Sequence, residues 1–333
     1  MSKLYPLKFK PIYKERIWGG NMMSSVLHRE LPSSKEPIGE AWEIVDRSDA
    51  QSVVVNGELA GVQLEELMKK YRSDLLGPKG EKYNVFPLLV KVIDAGDRLS
   101  LQVHPDEQSC AEIGGTAEPK TEMWYILGAE KHGKILAGLS PKATKTQLLS
   151  LLDKSEVENL LQIYDSNVGD GYFITSGTMH AIGAGNLILE IQQNSDTTYR
   201  ISDWGRVDSE GKARELHVEL GVKSVNFMNR TSPKITGVSD MRPYNRKIPY
   251  VKTCQFFDIE ALHLVEPWND STLNSQSFHL ISATDAPLKV GNNEVTVNVA
   301  IGETVLIPYA FGAYSIVPEI KDGEKAVVVK TTL

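Results

Sequence analysis

The chain has 333 residues, of which 41% are hydrophobic, and it carries a formal net charge of −7. Because proteins that bind nucleic acid or anionic membranes need a basic surface, this charge argues against both classes. The N-terminal decapeptide MSKLYPLKFK lacks the apolar core of a signal peptide, and the chain has no run of about 18 apolar residues, so we expect a cytoplasmic protein. The two cysteines, Cys110 and Cys254, match no metal or redox spacing, which predicts free thiols.

Short β-rich segments separated by turn signals dominate the chain, and they predict a mainly β fold of antiparallel barrels or sandwiches. The predicted strands are 43–45, 52–55, 87–93, 99–104, 123–127 and 187–192. Helical periodicity appears in 64–75 and again in 140–164, where the apolar faces include Leu148, Leu151, Leu152, Leu160 and Leu161. We expect these helices to decorate a β core.

A change in composition marks the predicted domain boundary. Residues 229–246 contain Pro233, Gly237 and Pro243 among polar residues, which is typical of a connection. The sequence therefore predicts one domain over 1–240, with a helical insert near 140–165, and a second domain over 241–333.

A weak internal repeat links the two predicted domains. The segment 169–180 aligns without gaps with 302–313, and in both a glycine–acid turn leads into an apolar strand. The pattern resembles the second motif of the cupin superfamily, in which a strand delivers a histidine into a jelly-roll barrel. The first copy ends in His180 and the second in Ala313. The resemblance implies two cupin-like barrels, of which only the N-terminal one holds a metal in this way.

Two further segments offer ligands by strand alternation. In 99–104, leucines and valine alternate with polar residues, so that Gln102 and His104 share one face of the predicted strand. By the same two-residue period, Lys120 and Glu122 are expected to be neighbours on the next strand. Either pattern alone is also compatible with a solvent-facing strand.

Together, His104, Glu122 and His180, with the amide oxygen of Gln102 in reach, form a nitrogen and oxygen set suited to zinc with an open coordination position. A histidine at the end of an apolar strand is, however, more often a core residue than a ligand. The same set also fits the iron site of cupin dioxygenases, and ligand type alone does not separate the two metals.

Polar residues concentrate in 190–200, directly after an apolar run. An aldose–ketose isomerase needs a group that moves a proton, donors that stabilise an enediolate, and cations for a phosphate. Lys120 and Arg200 can supply the cations. The structural alternative is that Asp196 and Arg200 form an ion pair across a loop.

Six motifs, in order along nearly the whole chain, resemble the type I mannose-6-phosphate isomerases in their short bacterial form. In this sequence they are 17–20 (IWGG), 39–43 (GEAWE), 102–106 (QVHPD), 120–125 (KTEMWY), 177–183 (GTMHAIG) and 195–200 (SDTTYR). The resemblance implies one zinc ion per chain, bound by His104, Glu122 and His180, with Gln102 matching a fourth ligand of longer members.

The same resemblance implies roles around the metal. Arg200 matches the family's active-site arginine, and the polar pocket residues are Lys120, Glu190 and Asp196. The implied reaction interconverts D-mannose 6-phosphate and D-fructose 6-phosphate through a cis-enediol, in a monomer or homodimer. Which group transfers the proton stays open between Lys120, Asp196 and a metal-bound water or His104. An iron dioxygenase and a non-catalytic sugar-binding protein with a structural zinc are the alternatives.

Overall fold

The computed structural model describes residues 4–152, 156–208, 210–237, 243–252 and 254–333. Strands dominate these ranges, so the prediction of a mainly β fold is confirmed. The strands are β1 (Leu7–Lys8), β2 (Ile12–Glu15), β3 (Ile38–Ile44), β4 (Asp46–Arg47), β5 (Ala50–Gln51), β6 (Leu88–Ala95), β7 (Leu101–Val103), β8 (Glu122–Ala129), β9 (Lys134–Leu139), β10 (Leu161–Asp165), β11 (Gly171–Ile174), β12 (His180–Ile182), β13 (Asn186–Gln193), β14 (Tyr199–Ser202), β15 (Lys234–Ile235), β16 (Arg246–Val251), β17 (Asp258–Leu264), β18 (Trp268–Ser271), β19 (His279–Ala283), β20 (Leu288–Gly291), β21 (Thr296–Val299), β22 (Thr304–Ile307), β23 (Ala313–Pro318) and β24 (Ala326–Thr332).

Short helices connect the strands. The α-helices are α1 (Met22–Ser25), α2 (Leu64–Leu76), α3 (Glu107–Ile113), α4 (Lys145–Leu151), α5 (Val218–Ser224) and α6 (Thr272–Ser275). Throughout the described ranges, every helix is too short or too polar to cross a lipid bilayer. Cys110 and Cys254 are both free thiols, as predicted.

The chain folds into two compact units. Unit A comprises 13–41 and 92–237, and unit B comprises 1–12, 42–91 and 238–333, in each case for the residues that the structure describes. Domains over 1–240 and 241–333 stay a prediction. Residues 42–91, which the sequence assigns to the first domain, share unit B with the C-terminal strands.

Two antiparallel sheets carry unit A. One has the order β15-β11-β8-β13 and continues through β6, β3 and β2, the strands in which the chain passes between units. The other has the order β10-β9-β12-β7-β14. Side chains from both sheets form a common core that includes Trp124, Ile126, Tyr172, Ile174 and Ile188 from the first and Ile135, Ala137 and Ile182 from the second.

Unit B repeats the strand order of unit A. Its sheets have the orders β1-β22-β19-β24-β17-β16 and β18-β23-β20-β21. When β3 and β6–β13 are matched in chain order with β16–β24, each strand has the same sheet neighbours in both sets. The gapless repeat agrees with this match, because β11 and β22 span equivalent positions and His180 and Ala313 each begin a strand. Closure of each unit into a separate barrel stays a prediction.

Two local predictions are wrong. Leu161 belongs to the edge strand β10 and not to a helix, because 161–165 pairs with β9 after α4 and a short 3₁₀ helix at Val157–Leu160. Within the same insert, 153–155 lie outside the described residues. The expected strand at 52–55 is reduced to isolated bridges at Val53 and Val54. In the first case pairing with β9 decides the conformation.

A buried carboxylate explains the IWGG motif. Asp94, on β6, is fully buried, and its Oδ2 accepts a hydrogen bond from the Met23 amide at 2.6 Å. A Cβ atom on Gly20 would lie 2.1 Å from Asp94 Oδ1, so only glycine allows this approach. Burial raises the pKa of Asp94 from 3.8 to about 6, against the opposing effect of the Met22 and Met23 amides. The motif therefore serves packing.

Asp94 should make the stability of the protein depend on pH. Since its folded-state pKa is the higher one, its contribution to stability is present below pH 3.8 and is lost as pH rises through about 6. Between pH 4.5 and 7, Asp94→Asn should gain about 2 kcal/mol of unfolding free energy relative to wild type. Urea unfolding of the chelator-treated proteins at both pH values measures this.

The matched control for that experiment is Asp74→Asn, which removes an exposed carboxyl group. It tests the effect of removing one surface carboxyl group. If the difference in unfolding free energy between wild type and Asp94→Asn is the same at pH 4.5 and pH 7, folding does not raise the pKa of Asp94.

Candidate metal centre and active site

Three buried side chains converge inside unit A. His104 directly follows β7, Glu122 begins β8, and His180 begins β12. They are 1%, 0% and 0% exposed, and one ligand atom from each lies within 4.8 Å of the others. The structure thus brings together the three residues that the sequence proposed as ligands.

Hydrogen bonds fix the tautomers of both histidines. His104 Nδ1 lies 2.8 Å from the Thr197 carbonyl oxygen, and His180 Nδ1 lies 2.8 Å from that of Thr178. Because a carbonyl oxygen only accepts, each Nδ1 carries the proton and each Nε2 presents a lone pair. Burial lowers the pKa of both histidines, that of His180 to about 3, so both are neutral at physiological pH.

The lone pairs of these histidines face a carboxylate. His104 Nε2 lies 3.5 Å from Glu122 Oε2, and His180 Nε2 lies 3.4 Å from Glu122 Oε1. Both Nε2 atoms and Oε1 are buried, and none of them has a hydrogen-bond partner among the residues that the structure describes. Such atoms repel one another unless a cation lies between them. Two neutral imidazoles and a carboxylate are common zinc ligands, and the backbone bonds to Nδ1 are the kind that orient them. The site can therefore hold a metal ion.

Lys120 is the neighbour of Glu122 that the two-residue period predicts. Its Nζ lies 2.8 Å from Glu122 Oε2, and both side chains are buried. Burial disfavours the ammonium form, but Glu122, Glu190 and Asp196 outweigh it and raise the pKa of Lys120 above its ordinary value. In the same way, Lys120 overcomes burial and holds the pKa of Glu122 well below its usual range.

Glu190 lies beside this cluster on β13. It pairs in register with Trp124 of β8, and its Oε1 accepts a hydrogen bond from Trp124 Nε1 at 3.0 Å. The same indole packs edge-on against His180, with ring centroids 5.3 Å apart. Trp124 therefore positions both a predicted pocket carboxylate and a predicted metal ligand.

Gln102 and Arg200 stand in one row with His180. On the backbone, Gln102 of β7 pairs with His180 of β12 on one side and with Arg200 of β14 on the other. Directly opposed residues of antiparallel strands present their side chains on the same face of the sheet. The role of Gln102 as a fourth ligand stays a prediction.

Arg200 does not form an ion pair with Asp196. Its guanidinium donates to the Glu215 carbonyl oxygen at 2.7 Å, while its Nε is buried with no hydrogen-bond partner in the part of the chain that the structure describes. Burial and the nearby Arg214 lower the pKa of Arg200. Asp196 is exposed in the loop between β13 and β14 and acts electrostatically on Lys120. The structural ion-pair alternative is therefore wrong.

The sequence of this chain is similar to those of known isomerases. Residues 6–146 match the family model described as phosphomannose isomerase type I, catalytic domain. The mannose-6-phosphate isomerase ManA of Bacillus subtilis is 36% identical over 312 residues, which cover 93% of this chain and 95% of that protein. The chain belongs to the type I phosphomannose isomerase family. It is thus an isomerase, as predicted.

Other members of the family agree with this assignment. A mannose-6-phosphate isomerase of Streptococcus mutans is 41% identical over 217 residues, 65% of this chain and 66% of that protein. The crystal structure of the Bacillus subtilis mannose 6-phosphate isomerase aligns with a TM-score of 0.82 and 27% identity, covering 99% of this chain and 100% of that one. A putative mannosephosphate isomerase of Archaeoglobus fulgidus, 20% identical, shares the fold with a TM-score of 0.76. The cupin-like, mainly β fold is thereby confirmed.

Two buried residues of the candidate site were not predicted from the sequence. Gln192 pairs in register with Glu122, is fully buried, and donates from Nε2 to the Ser195 carbonyl oxygen, which leaves Oε1 without a partner among the described residues. Trp124 is the other. The two-residue period that linked Lys120 to Glu122 also reaches Trp124, and the same period links Glu190 to Gln192, so this signal could have found both.

A group of charged residues after β14 gave no sequence signal. Buried Asp203 accepts hydrogen bonds from Arg206 at 2.7 Å and from Arg214 at 2.8 Å. Burial opposes ionisation, but the two guanidinium groups hold the pKa of Asp203 below its ordinary value. The two arginines add positive charge near Arg200, whose pKa they lower.

The corresponding place in unit B is closed by hydrogen bonds. His279 begins β19 as Glu122 begins β8, and each pairs in register with an equivalent isoleucine of the repeat, Ile307 or Ile174. His279 Nδ1 lies 2.6 Å from Tyr314 Oη, and Nε2 lies 2.7 Å from Ser275 Oγ. Ala313 is exposed. Among the described residues, no second group of histidine, cysteine and carboxylate ligands comes together as in unit A.

Proposed function

We propose that the chain interconverts D-mannose 6-phosphate and D-fructose 6-phosphate, with one zinc ion bound by His104, Glu122 and His180. The observation that carries the proposal is the convergence of three buried ligand atoms, which have no hydrogen-bond partner among the described residues, beside the buried Lys120 ammonium. The named activity of the relatives supports the choice of substrate. Gln102 is the proposed fourth ligand.

The proposed reaction moves a proton between C1 and C2 through a cis-enediol. Bound zinc would supply a Lewis acid that polarises the sugar carbonyl. Lys120 and Arg200 are buried or half-buried cations, and such groups stabilise negative charge on an enediolate or a phosphate more strongly than cations in water do. Because Lys120 is protonated next to Glu122, it acts as a proton donor or fixed cation.

Carboxylates remain as groups that can accept the proton. Asp196 and Glu190 both act electrostatically on Lys120, so both lie near the proposed substrate site. Glu190 is held by the indole of Trp124, whereas Asp196 is exposed at the start of the loop to β14. The assignment between them stays open, as does the choice between monomer and homodimer.

The test measures metal and turnover on the same purified protein. We expect about one zinc ion per chain by elemental analysis, and formation of fructose 6-phosphate from mannose 6-phosphate in a coupled assay, with or without oxygen. Chelation should abolish turnover and zinc should restore it. A need for ferrous iron and oxygen would favour a dioxygenase, and ligand binding without turnover would favour a sugar-binding protein; either outcome refutes the proposal.

A further inference from the structure

The two oxygens of Glu122 have different neighbours. Oε1 lies 3.4 Å from His180 Nε2, whereas Oε2 lies 3.5 Å from His104 Nε2 and 2.8 Å from Lys120 Nζ. The shortest contact of this proposed metal ligand is therefore an ammonium group. Lys120 therefore pairs with Oε2, which is one of the ligand atoms that a metal ion in this site would use.

Burial makes this ion pair necessary in the absence of another cation. Glu122 is fully buried and Lys120 nearly so, and an unpaired carboxylate in such a place is strongly destabilising. The backbone keeps Lys120 in place. Its amide donates to the Pro105 carbonyl oxygen at 3.2 Å, and its own carbonyl oxygen accepts from Ser176 Oγ at 3.0 Å.

The charges of Lys120 and the carboxylates around it can balance a divalent cation. Glu122, Glu190 and Asp196 act on one ammonium group, that of Lys120, while His104 and His180 are neutral. With the three carboxyl groups ionised, the net charge is −2, which a divalent cation compensates. Once such an ion shares Glu122, the ammonium still has Glu190 and Asp196 as neighbouring charges.

We propose that Lys120 is the resident counter-ion of the metal site, which pairs with Glu122 in the metal-free protein and yields it when the metal binds. Loading of the metal then releases the ammonium for the anionic substrate. The proposal rests on the proposed function, because it requires that the three ligands bind zinc. In this role Lys120 stabilises the metal-free fold, and it competes with zinc for Glu122.

A competing cation and a residue that orients a ligand have opposite effects on zinc affinity. Residues that merely orient a ligand strengthen metal binding, so their loss weakens it. Loss of a competing cation should instead tighten zinc binding by at least about tenfold, because an ammonium a few ångströms away weakens the binding of a divalent ion by about that factor even at the dielectric constant of bulk water. The sign of the change in zinc affinity therefore separates the two roles.

The experiment compares Lys120→Met with Lys120→Arg and Lys134→Met. Methionine keeps much of the lysine volume without charge, arginine keeps the charge, and Lys134 is a more exposed lysine paired with Asp165. Chelator-stripped proteins are titrated with zinc against a competing dye, and their melting temperatures are measured without metal. We expect Lys120→Met to bind zinc at least about tenfold more tightly and to melt at a lower temperature when stripped of metal. The two controls should stay close to wild type.

The remaining outcomes of the Lys120 experiment also support or overturn a proposal. If stripped Lys120→Met is unfolded but recovers the wild-type far-UV spectrum with zinc, the proposal is supported, because zinc then replaces the missing cation. Unchanged or weaker zinc binding in a folded Lys120→Met protein overturns it, as does failure to fold even with zinc. If wild type itself binds no zinc, it is the proposed function that fails.

Discussion

Replacing His180 or Glu122 with alanine should leave the purified protein with well under one zinc ion per chain and without isomerase activity. Each substitution removes one of three converging ligand atoms. A chelate of two remaining groups binds zinc far more weakly, and an apolar methyl group offers no replacement. Elemental analysis of protein purified without added metal, together with the coupled assay, measures both consequences.

The matched control is His279→Ala, because His279 occupies in unit B the strand position of Glu122 and is equally buried. This substitution breaks hydrogen bonds to Tyr314 and Ser275, so it should lower stability while zinc content stays that of wild type. Full zinc occupancy in both His180→Ala and Glu122→Ala would refute the ligand set. Zinc loss in all three variants would point to unfolding instead.

Strand periodicity predicted the centre of the site because its residues obey a short-range rule. Lys120 and Glu122 are two positions apart, and this spacing places side chains on one face. The 2.8 Å contact between them is the result. The repeat located His180 by the same kind of local pattern, since the equivalent strands begin at the same offset in both copies.

Contacts between distant segments could not be predicted in this way. The tautomers of His104 and His180 depend on backbone carbonyl groups, which any residue type supplies, so the sequence gives no sign of them. The guanidinium of Arg200 likewise donates to the main chain of Glu215, and the alternative pairing with Asp196 does not form. Because every residue supplies a main-chain acceptor, side-chain type does not indicate which carbonyl group will accept a hydrogen bond.

Long-range pairing also explains where the structure differs from local expectations. Residues 161–165 stand at the end of the leucine-rich stretch 148–161, yet they pair with β9 as an edge strand. Residues 42–91 precede the candidate site in sequence but belong to unit B. The polar connection at 229–246 gives no sign of this, because the chain also passes between units within three strands, β2, β3 and β6.

The site depends on burial as much as on residue identity. Desolvation keeps His104 and His180 neutral and therefore able to offer lone pairs. It also strengthens the attraction between Lys120 and Glu122, so that both stay ionised. The same low dielectric would strengthen the effect of each fixed charge on a developing enediolate.

Arg200→Ala should lose isomerase turnover by about 10²–10³-fold while keeping zinc and the wild-type far-UV spectrum. The guanidinium is half-buried and shares a sheet face with Gln102. Its Nε has no hydrogen-bond partner in the described ranges of the chain, so it can donate to a bound anion. Steady-state kinetics divide its role. A fall in kcat indicates contact with the enediolate, and a rise in KM alone indicates contact with the phosphate.

Two companion variants make the Arg200 experiment decisive. Arg200→Lys keeps the charge but loses the planar pair of donors, so it should recover only part of the lost turnover. Arg230→Ala removes an exposed arginine whose guanidinium also donates to main-chain carbonyl groups, those of Asn229 and Ala143, and it should turn over like wild type. Wild-type kinetics in Arg200→Ala would remove Arg200 from the active site. Zinc loss in that variant would show that its guanidinium supports the metal centre rather than the substrate.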